Sequence, residues 1–125
     1  MLNEKDIREL FASIDAKDAK TFASFISEEG RFIYGAQMDV SGRKAVEQAV
    51  ASFFSSLDSL SHTNLKWWSA DDGQTQFVYG DVHYVLPNGN TADIPFLNRF
   101  DFDGEKISLY HVFTDPTPMF QAAQG

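Results

Sequence analysis

Apolar residues recur at helical spacing in three segments of the first half of the chain. Asn3 and Asp18 precede the first two segments, and both residue types commonly cap helix N-termini. Ser41 and Gly42 precede the third segment. Each segment places apolar residues at i, i+3, i+4 and i+7, which form one face of a helix. The pattern predicts three amphipathic helices, whose apolar faces contain Ile7, Leu10, Phe11 and Ile14, then Ala19, Phe22, Ala23 and Ile26, and finally Val46, Ala49, Val50, Phe53 and Phe54.

The second half of the chain is rich in β-branched and aromatic residues, which predicts a series of strands. Three Asp-Gly or Asn-Gly dipeptides interrupt it, and these are typical of tight turns between antiparallel strands. The dipeptides lie at residues 72–73, 88–89 and 103–104, between predicted strands at 63–69, 75–86, 91–102 and 106–114. The four strands form a meander, and residues 31–34 add a short strand at its margin. The longest strands would reach about 40 Å, so we expect them to bend, with bulges at Gly80 and Pro95.

The predicted helices come first and the β-hairpins follow, which is an order typical of an α+β fold. The length of 125 residues suits one core, so we expect a single domain over residues 1–125. The three helices would pack in the concavity of the long curved antiparallel sheet and give the domain a cone shape. Twelve phenylalanines predict an aromatic, apolar interior. Small organic molecules bind in funnels of this kind.

The charge and cysteine content make several functional classes unfavourable. A formal net charge of −8 repels phosphate backbones and anionic lipids, so we expect neither nucleic acid nor a membrane as a partner. The absence of cysteine excludes disulfides, thiolate catalysis and zinc ribbons, and it suits a reducing cytoplasm, where we expect the protein. The first residues lack the apolar stretch of a signal peptide, and no apolar run reaches the roughly 18 residues of a membrane span.

Asp81 and His83 are two residues apart on a predicted strand, so both side chains project to the same face of the sheet. A histidine beside a carboxylate in a partly dry pocket is suited to act as a general base. On the concave face the two residues would serve that purpose, whereas on the convex face they would form a solvated polar pair. We predict that they lie in the pocket, with His83 as the base.

Other polar residues have both a structural and a functional interpretation. Asp15 either ends the first helix or orients a catalytic imidazole. His62 precedes the meander and is either a solvated loop residue or a proton donor in the pocket. Tyr34 and Asn98 lie on apolar strand faces, where a phenol or an amide needs a hydrogen-bonding partner. His111 alternates with neighbours that we expect to face inward, so it is predicted to point outward.

A family resemblance extends from about Asp6 to Phe120. The order of elements and three segments carry it: "SIDAKDAKTF", "SGRKAVEQAVASFF" and "LYHVFTDPTPMF". In these features the chain resembles the SnoaL-like domains of the nuclear transport factor two and ketosteroid isomerase superfamily. The resemblance implies a cystatin-like α+β barrel with Tyr110 and Val112 facing the pocket. The superfamily contains isomerases, cyclases, dehydratases and proteins without catalysis, so the reaction must be argued from the site.

Within the superfamily, the site pattern is most similar to that of scytalone dehydratase. The segment "IDAKDA", between the first two predicted helices, looks like the corresponding segment of the dehydratase. The likeness places Asp15 at an aspartate of the site and Ile14 in place of a tyrosine. The likeness implies four further pocket residues, which are Tyr34, His62, His83 and Asn98.

Two other members of the superfamily match less well. The ketosteroid isomerase pattern fails because Leu10 replaces its helix tyrosine and the region of Tyr34 lacks its aspartate base. The limonene epoxide hydrolase pattern keeps one aspartate at Asp81, but Tyr79 and Val112 replace the other two residues of its relay.

The sequence thus predicts a cofactor-free lyase (a dehydratase) or isomerase that acts on a small apolar carbonyl or cyclic compound. The alternative is a non-catalytic ligand-binding or assembly module with the same pocket. We expect no metal site, because the chain has no HExxH motif and no dense cluster of ligands. The predicted catalytic residues are His83, Asp15, His62 and Tyr34, and the predicted substrate-binding residues are Asn98, Asp81, Tyr110, Val112 and Phe96.

A homodimer is predicted from the two faces of the sheet. Leu109, His111 and Phe113 place apolar bulk on the face away from the helices. Three short helices cannot cover both faces of a long sheet, and a large apolar patch left in water is unusual. The superfamily's habit of pairing sheet to sheet indicates the same arrangement.

Overall fold

The computed structural model describes all residues, 1–125, and confirms the α+β fold class. Four helices pack with one six-stranded curved sheet, which has the strand order β2-β1-β6-β5-β4-β3. The helices are α1 (Glu4–Asp15), α2 (Ala19–Ser24), α3 (Arg43–Ser55) and α4 (Thr117–Gln124). The strands are β1 (Ile26–Tyr34), β2 (Met38–Ser41), β3 (Ser59–Ala70), β4 (Thr75–Val85), β5 (Thr91–Asp103) and β6 (Lys106–Phe113).

Local sequence signals set the starts of the first two helices. The Asn3 side chain accepts a hydrogen bond from the Asp6 amide (2.8 Å), and the Asp6 carboxylate accepts one from the Asn3 amide (3.2 Å). This reciprocal capping box satisfies two amides that have no partner within α1. Asp18 caps α2 by accepting from the Thr21 amide at 3.1 Å. The predicted second helix was too long, because Ile26 already belongs to β1.

The meander of β3 to β6 is antiparallel throughout, as predicted. Strand β1 is longer than predicted and lies beside β6 in the one parallel pairing of the sheet. The short strand β2 and the C-terminal helix α4 were not predicted. Strands β1 and β6 are about 80 residues apart in the sequence, so no turn motif could have predicted their pairing. Its register runs from Arg31 opposite Leu109 to Tyr34 opposite Val112.

A bulge in β3 decides which residues of that strand face the helices. Asn64 and Leu65 together oppose Gly80, because Thr63 pairs with Asp81 and Lys66 pairs with Tyr79. A side chain at Gly80 would place its Cβ 2.9 Å from the backbone oxygen of Thr63, so the close approach of the bulge requires glycine.

The predicted bulge positions were therefore only partly right. Gly80 faces a bulge rather than forming one, and Pro95 lies in an unbroken register between β4 and β5. The bulge reverses the alternation of β3, so that Leu60 and His62 face the core before it and Leu65 and Trp67 do so after it.

The apolar side chains of the helices and of the concave face of the sheet form one core of 26 buried residues. The convex face stays uncovered and exposes large aromatic side chains, among them Tyr79 and Phe113 at 45% and 47% exposure. No helix is both long enough and apolar enough to cross a membrane.

Candidate functional site

The cone encloses a cavity between the helices and the concave face of the sheet. Fourteen of its 17 lining residues are apolar or aromatic. Its volume is about 60 Å³, whereas an apolar cavity that binds benzene has about 150 Å³. The polar groups are correspondingly few, and six lining residues carry them: Tyr34, His62, Tyr84, Asn98, Tyr110 and Thr114.

His62 and Asp15 form a hydrogen-bonded pair on one wall of this cavity. Asp15 is the last residue of α1, and its carboxylate lies 2.6 Å from His62 Nδ1. The backbone amide of His62 also donates to both carboxylate oxygens, at 3.1 and 3.2 Å. The side chain of His62 is only 9% exposed, and its ring packs against the rings of Phe11 and Phe96 with centroids 5.0 and 5.2 Å apart.

This arrangement assigns different roles to the two ring nitrogens of His62. An ionised carboxylate can only accept hydrogen bonds, so Nδ1 carries a proton toward Asp15. In the neutral ring, Nε2 then has a free lone pair and is the nitrogen available to a ligand. The pair has the geometry of a general base with an orienting carboxylate.

Two tyrosines meet across the cavity from strands that are not neighbours. Tyr34 on β1 and Tyr84 on β4 are separated in the sheet by β6 and β5, yet their hydroxyl oxygens lie 3.2 Å apart. The sheet must curl strongly to bring them together. Burial raises the pKa of both phenols, so both stay protonated at neutral pH. Phe53 of α3 packs against both rings.

Asn98 and Tyr110 form a second buried polar pair on adjacent strands. Asn98 Nδ2 donates to the Tyr110 hydroxyl at 3.2 Å, but Asn98 Oδ1 is buried without a partner. Burial also raises the pKa of Tyr110. An unpaired buried acceptor costs about 1–3 kcal/mol. Asn98 is thus a polar group at the cavity wall whose hydrogen-bonding capacity the protein leaves unfilled.

We expect the double variant Asn98→Leu/Tyr110→Phe to match or exceed the wild-type free energy of unfolding, by up to about 1 kcal/mol, when no ligand is present. Replacing both partners by apolar groups of similar shape removes the unpaired oxygen and leaves no new orphan. Urea unfolding of the two proteins measures the difference. A loss of about 2 kcal/mol would instead assign the pair to structural support of the strands.

The structure corrects the predicted positions of His83 and Asp81. They share a face, as expected, but it is the convex face, because Val78, Val82 and Tyr84 take the core side of β4. His83 Nδ1 lies 2.7 Å from Asp93, and the His83 side chain is 43% exposed.

Asp81 has a different partner on the convex side, where its carboxylate accepts a hydrogen bond from Asn64 Nδ2 at 3.0 Å. Both faces of β4 carry large side chains, so alternation alone could not identify the inner one. His111 points outward, as predicted, and its ring stacks on that of Phe113 with centroids 3.9 Å apart.

The other predicted residues come together at the cavity. Asp15 reaches it through His62, and the lining includes the remaining six: Tyr34, His62, Phe96, Asn98, Tyr110 and Val112. Sequence reasoning missed Tyr84, although its alternation with Val82 on an apolar strand face was a usable signal. Nowhere do three or more histidine, aspartate or glutamate side chains converge as metal ligands would.

Comparison with known proteins places the chain in a family. Residues 7–110 match the SnoaL-like domain, whereas no curated protein matches the sequence. A polyketide cyclase candidate from Xanthomonas campestris pv. campestris is 16% identical, with a TM-score of 0.83 over 94% of this chain and 93% of that chain.

Two further solved structures are similar. A phenazine biosynthesis-related protein from Pseudomonas aeruginosa is 16% identical, with a TM-score of 0.74 over 99% of this chain and 86% of that chain. A protein with a ketosteroid isomerase-like fold from Catenulispora acidiphila, solved with trimethylamine, is 11% identical. Its TM-score is 0.84 over 98% of this chain and 95% of that chain. Such identities show a shared fold. The family match over most of its length establishes that the chain belongs to the SnoaL-like domain family.

Proposed function

We propose that this protein is a cofactor-free isomerase or lyase that removes a proton beside the carbonyl group of a small, largely apolar cyclic compound. The hydrogen-bonded pair of Asp15 and His62 on the wall of an apolar cavity carries this proposal. His62 Nε2 is the base, and Asp15 holds the ring in the tautomer that the base requires. Tyr34 is the donor to the carbonyl oxygen.

The proposed chemistry begins with transfer of a proton from the carbon beside the carbonyl to His62 Nε2. The electrons of the broken C–H bond form a carbon–carbon double bond, and the carbonyl π electrons move to oxygen. The Tyr34 hydroxyl stabilises the resulting enolate oxygen by a hydrogen bond. In an isomerase, protonated His62 returns the proton to another carbon. In a lyase, it protonates a hydroxyl on the next carbon, which leaves as water while the carbonyl re-forms.

The remaining cavity residues would hold the substrate. Asn98 Oδ1 is free to accept a hydrogen bond from a substrate hydroxyl, and Tyr110 orients the amide. Phe96 and Val112 shape the apolar wall, and Phe96 also fixes the His62 ring. The proposal keeps four residues that the resemblance to scytalone dehydratase implied, Asp15, Tyr34, His62 and Asn98, and it takes His62 rather than His83 as the base.

The size of the cavity limits its ligands. A volume of about 60 Å³ is below what a benzene ring needs, so a cyclic substrate requires a wall to move. Met38 and Phe53 are the apolar lining residues that remain partly exposed, and they stand where the cavity meets solvent. We expect a change of their rotamers to admit a ligand with one ring.

Hydrogen–deuterium exchange in D₂O tests the proposal without knowledge of the natural substrate. A panel of cyclic ketones, β-hydroxy ketones and β,γ-unsaturated ketones is incubated with the protein. NMR follows deuterium entering the carbon beside the carbonyl, and absorbance follows formation of a conjugated enone. Enzyme-dependent exchange of at least one ketone is the expected result. Binding of these ketones with no exchange by any of them would contradict the proposal.

The second candidate function is a binding or assembly module that uses the same cavity without chemistry. The unfilled hydrogen-bonding capacity of Asn98 favours it, because that group serves binding and does not require a base. Names of two similar structures, a polyketide cyclase candidate and a phenazine biosynthesis-related protein, support a role in small-molecule chemistry instead.

We also propose that the protein forms a homodimer through the convex face of the sheet. The charges of this face are largely paired within one protomer, as in Arg31–Asp39 at 2.6 Å and Arg99–Asp101 at 3.1 Å. Such pairing lets two copies approach despite a net charge of −8 on each. The exposed aromatic residues Tyr79 and Phe113 supply an apolar centre.

Phe113→Asp is expected to raise the dimer dissociation constant at least about 10-fold, because it introduces a charge into the apolar centre of the interface. Sedimentation equilibrium at micromolar concentration measures the change. Phe120→Asp is the matched control, since Phe120 is similarly exposed (42%) but lies on α4. A wild-type mass of only 14.0 kDa at these concentrations would contradict the dimer.

A further inference from the structure

The contact between Tyr34 and Tyr84 leaves one hydroxyl proton without an acceptor. Two neutral phenols carry two protons, and their mutual hydrogen bond uses one of them. Neither hydroxyl has any other partner, and both side chains are nearly inaccessible to solvent, at 8% and 4% exposure. The second proton therefore lies in an apolar cavity with nothing in the protein to receive it.

Either hydroxyl can donate in this contact. Burial raises the pKa of both phenols, so both keep their protons at neutral pH. When Tyr34 donates to the carbonyl oxygen of a ligand, as in the proposed function, the Tyr84 hydroxyl is the one that donates to Tyr34. Accepting this hydrogen bond makes Tyr34 a better donor.

We propose that Tyr84 is a positioning residue that fixes Tyr34 as a single hydrogen-bond donor for one carbonyl oxygen of the ligand. This inference rests on the proposed function, in which His62 is the base. It specifies which chemical group of the ligand meets the Tyr34–Tyr84 pair. The ligand places a hydrogen-bond acceptor, a carbonyl oxygen, at the end that meets the tyrosine pair.

The rest of the cavity supports this assignment. The Thr114 hydroxyl donates to the Pro95 carbonyl at 3.0 Å. The Tyr110 hydroxyl accepts from Asn98 and keeps its own proton, but its ring packs against Phe22, Phe32 and Phe100 rather than Phe53. Phe53 packs on both rings of the Tyr34–Tyr84 pair and holds their hydroxyls in contact. A carbonyl that enters beside Phe53 thus meets the free O–H of this pair.

Infrared spectroscopy of bound cyclohexanone tests the role of Tyr84 directly, because a hydrogen bond to a carbonyl lowers its stretching frequency. We expect the lowest frequency in the wild type, an intermediate one in Tyr84→Phe and the highest in Tyr34→Phe. Tyr79→Phe removes an exposed tyrosine on the convex face and is expected to match the wild type. A packing role of Tyr84 alone would not change the frequency.

Affinity provides the second measurement. NMR titration compares cyclohexanone with methylenecyclohexane, which has the same ring and no acceptor oxygen. Tyr34→Phe should weaken binding of the ketone roughly 3–10-fold and Tyr84→Phe somewhat less, while the hydrocarbon affinity stays within about twofold.

Two outcomes would overturn the proposal. These are an unchanged carbonyl frequency in Tyr84→Phe and an equal loss of affinity for the two ligands in Tyr34→Phe. Neither measurement involves turnover, so a retained frequency shift without deuterium exchange would refute the proposed function and leave the role of Tyr84 intact.

Discussion

His62→Gln is expected to lower the rate of deuterium exchange into a responsive ketone by about 10²–10⁴-fold. Removal of a positioned general base typically has an effect of this size, because the amide of glutamine cannot take up a proton at neutral pH. The rate is measured by NMR at saturating ketone. His83→Gln is the matched control, since the His83–Asp93 pair lies on the convex face and should leave the rate within about twofold.

Asp15→Asn completes this test. The asparagine amide can donate to Nδ1, which would move the ring proton to Nε2 and block the base. We expect a loss approaching that of His62→Gln with cyclohexanone affinity nearly unchanged. If His83→Gln abolished exchange and His62→Gln did not, the base assigned from the structure would be wrong.

The elements that the sequence predicted well are those defined by short-range signals. The capping box at Asn3 and the cap at Asp18 depend on residues within three positions of each other. The hairpin turns depend on adjacent pairs such as Asn88–Gly89, where glycine adopts a φ of 86°. The pairing of β1 with β6 depends on how the two ends of the sheet meet, so no local pattern reports it.

The candidate site was predicted in part for the same reason. Asn98 was found because an amide stood between two phenylalanines on a strand, which is a local contradiction of the pattern. The partnership of His62 with Asp15 joins residues 47 positions apart and depends on the alternation of β3 before its bulge. The choice of His83 failed because the convex face of β4 is also rich in large side chains, as a sheet face that packs on another molecule would be.

We expect the free energy of unfolding to fall steeply as the pH rises above 10, more steeply than ionisation of the exposed residues alone would cause. Tyr34, Tyr84 and Tyr110 are all buried, and burial raises the pKa of each phenol above its ordinary value near 10. Above pH 10, the unfolded chain therefore releases protons that the native state retains. The native state binds more protons than the unfolded state in this range, so the free energy of unfolding falls as pH rises.

The size of this effect follows from the number of phenols. Each one that ionises only in the unfolded chain costs about 1.4 kcal/mol per pH unit, so three give a slope of at most about 4 kcal/mol per unit well above pH 10. Below pH 10 their contribution to stability is fully present. Urea unfolding at pH 9, 10, 10.5 and 11 measures the slope, and Tyr110→Phe should reduce it by about a third. A free energy of unfolding that stays constant from pH 9 to pH 11 would show that these phenols ionise in the folded protein, and they could not then serve as neutral donors in the cavity.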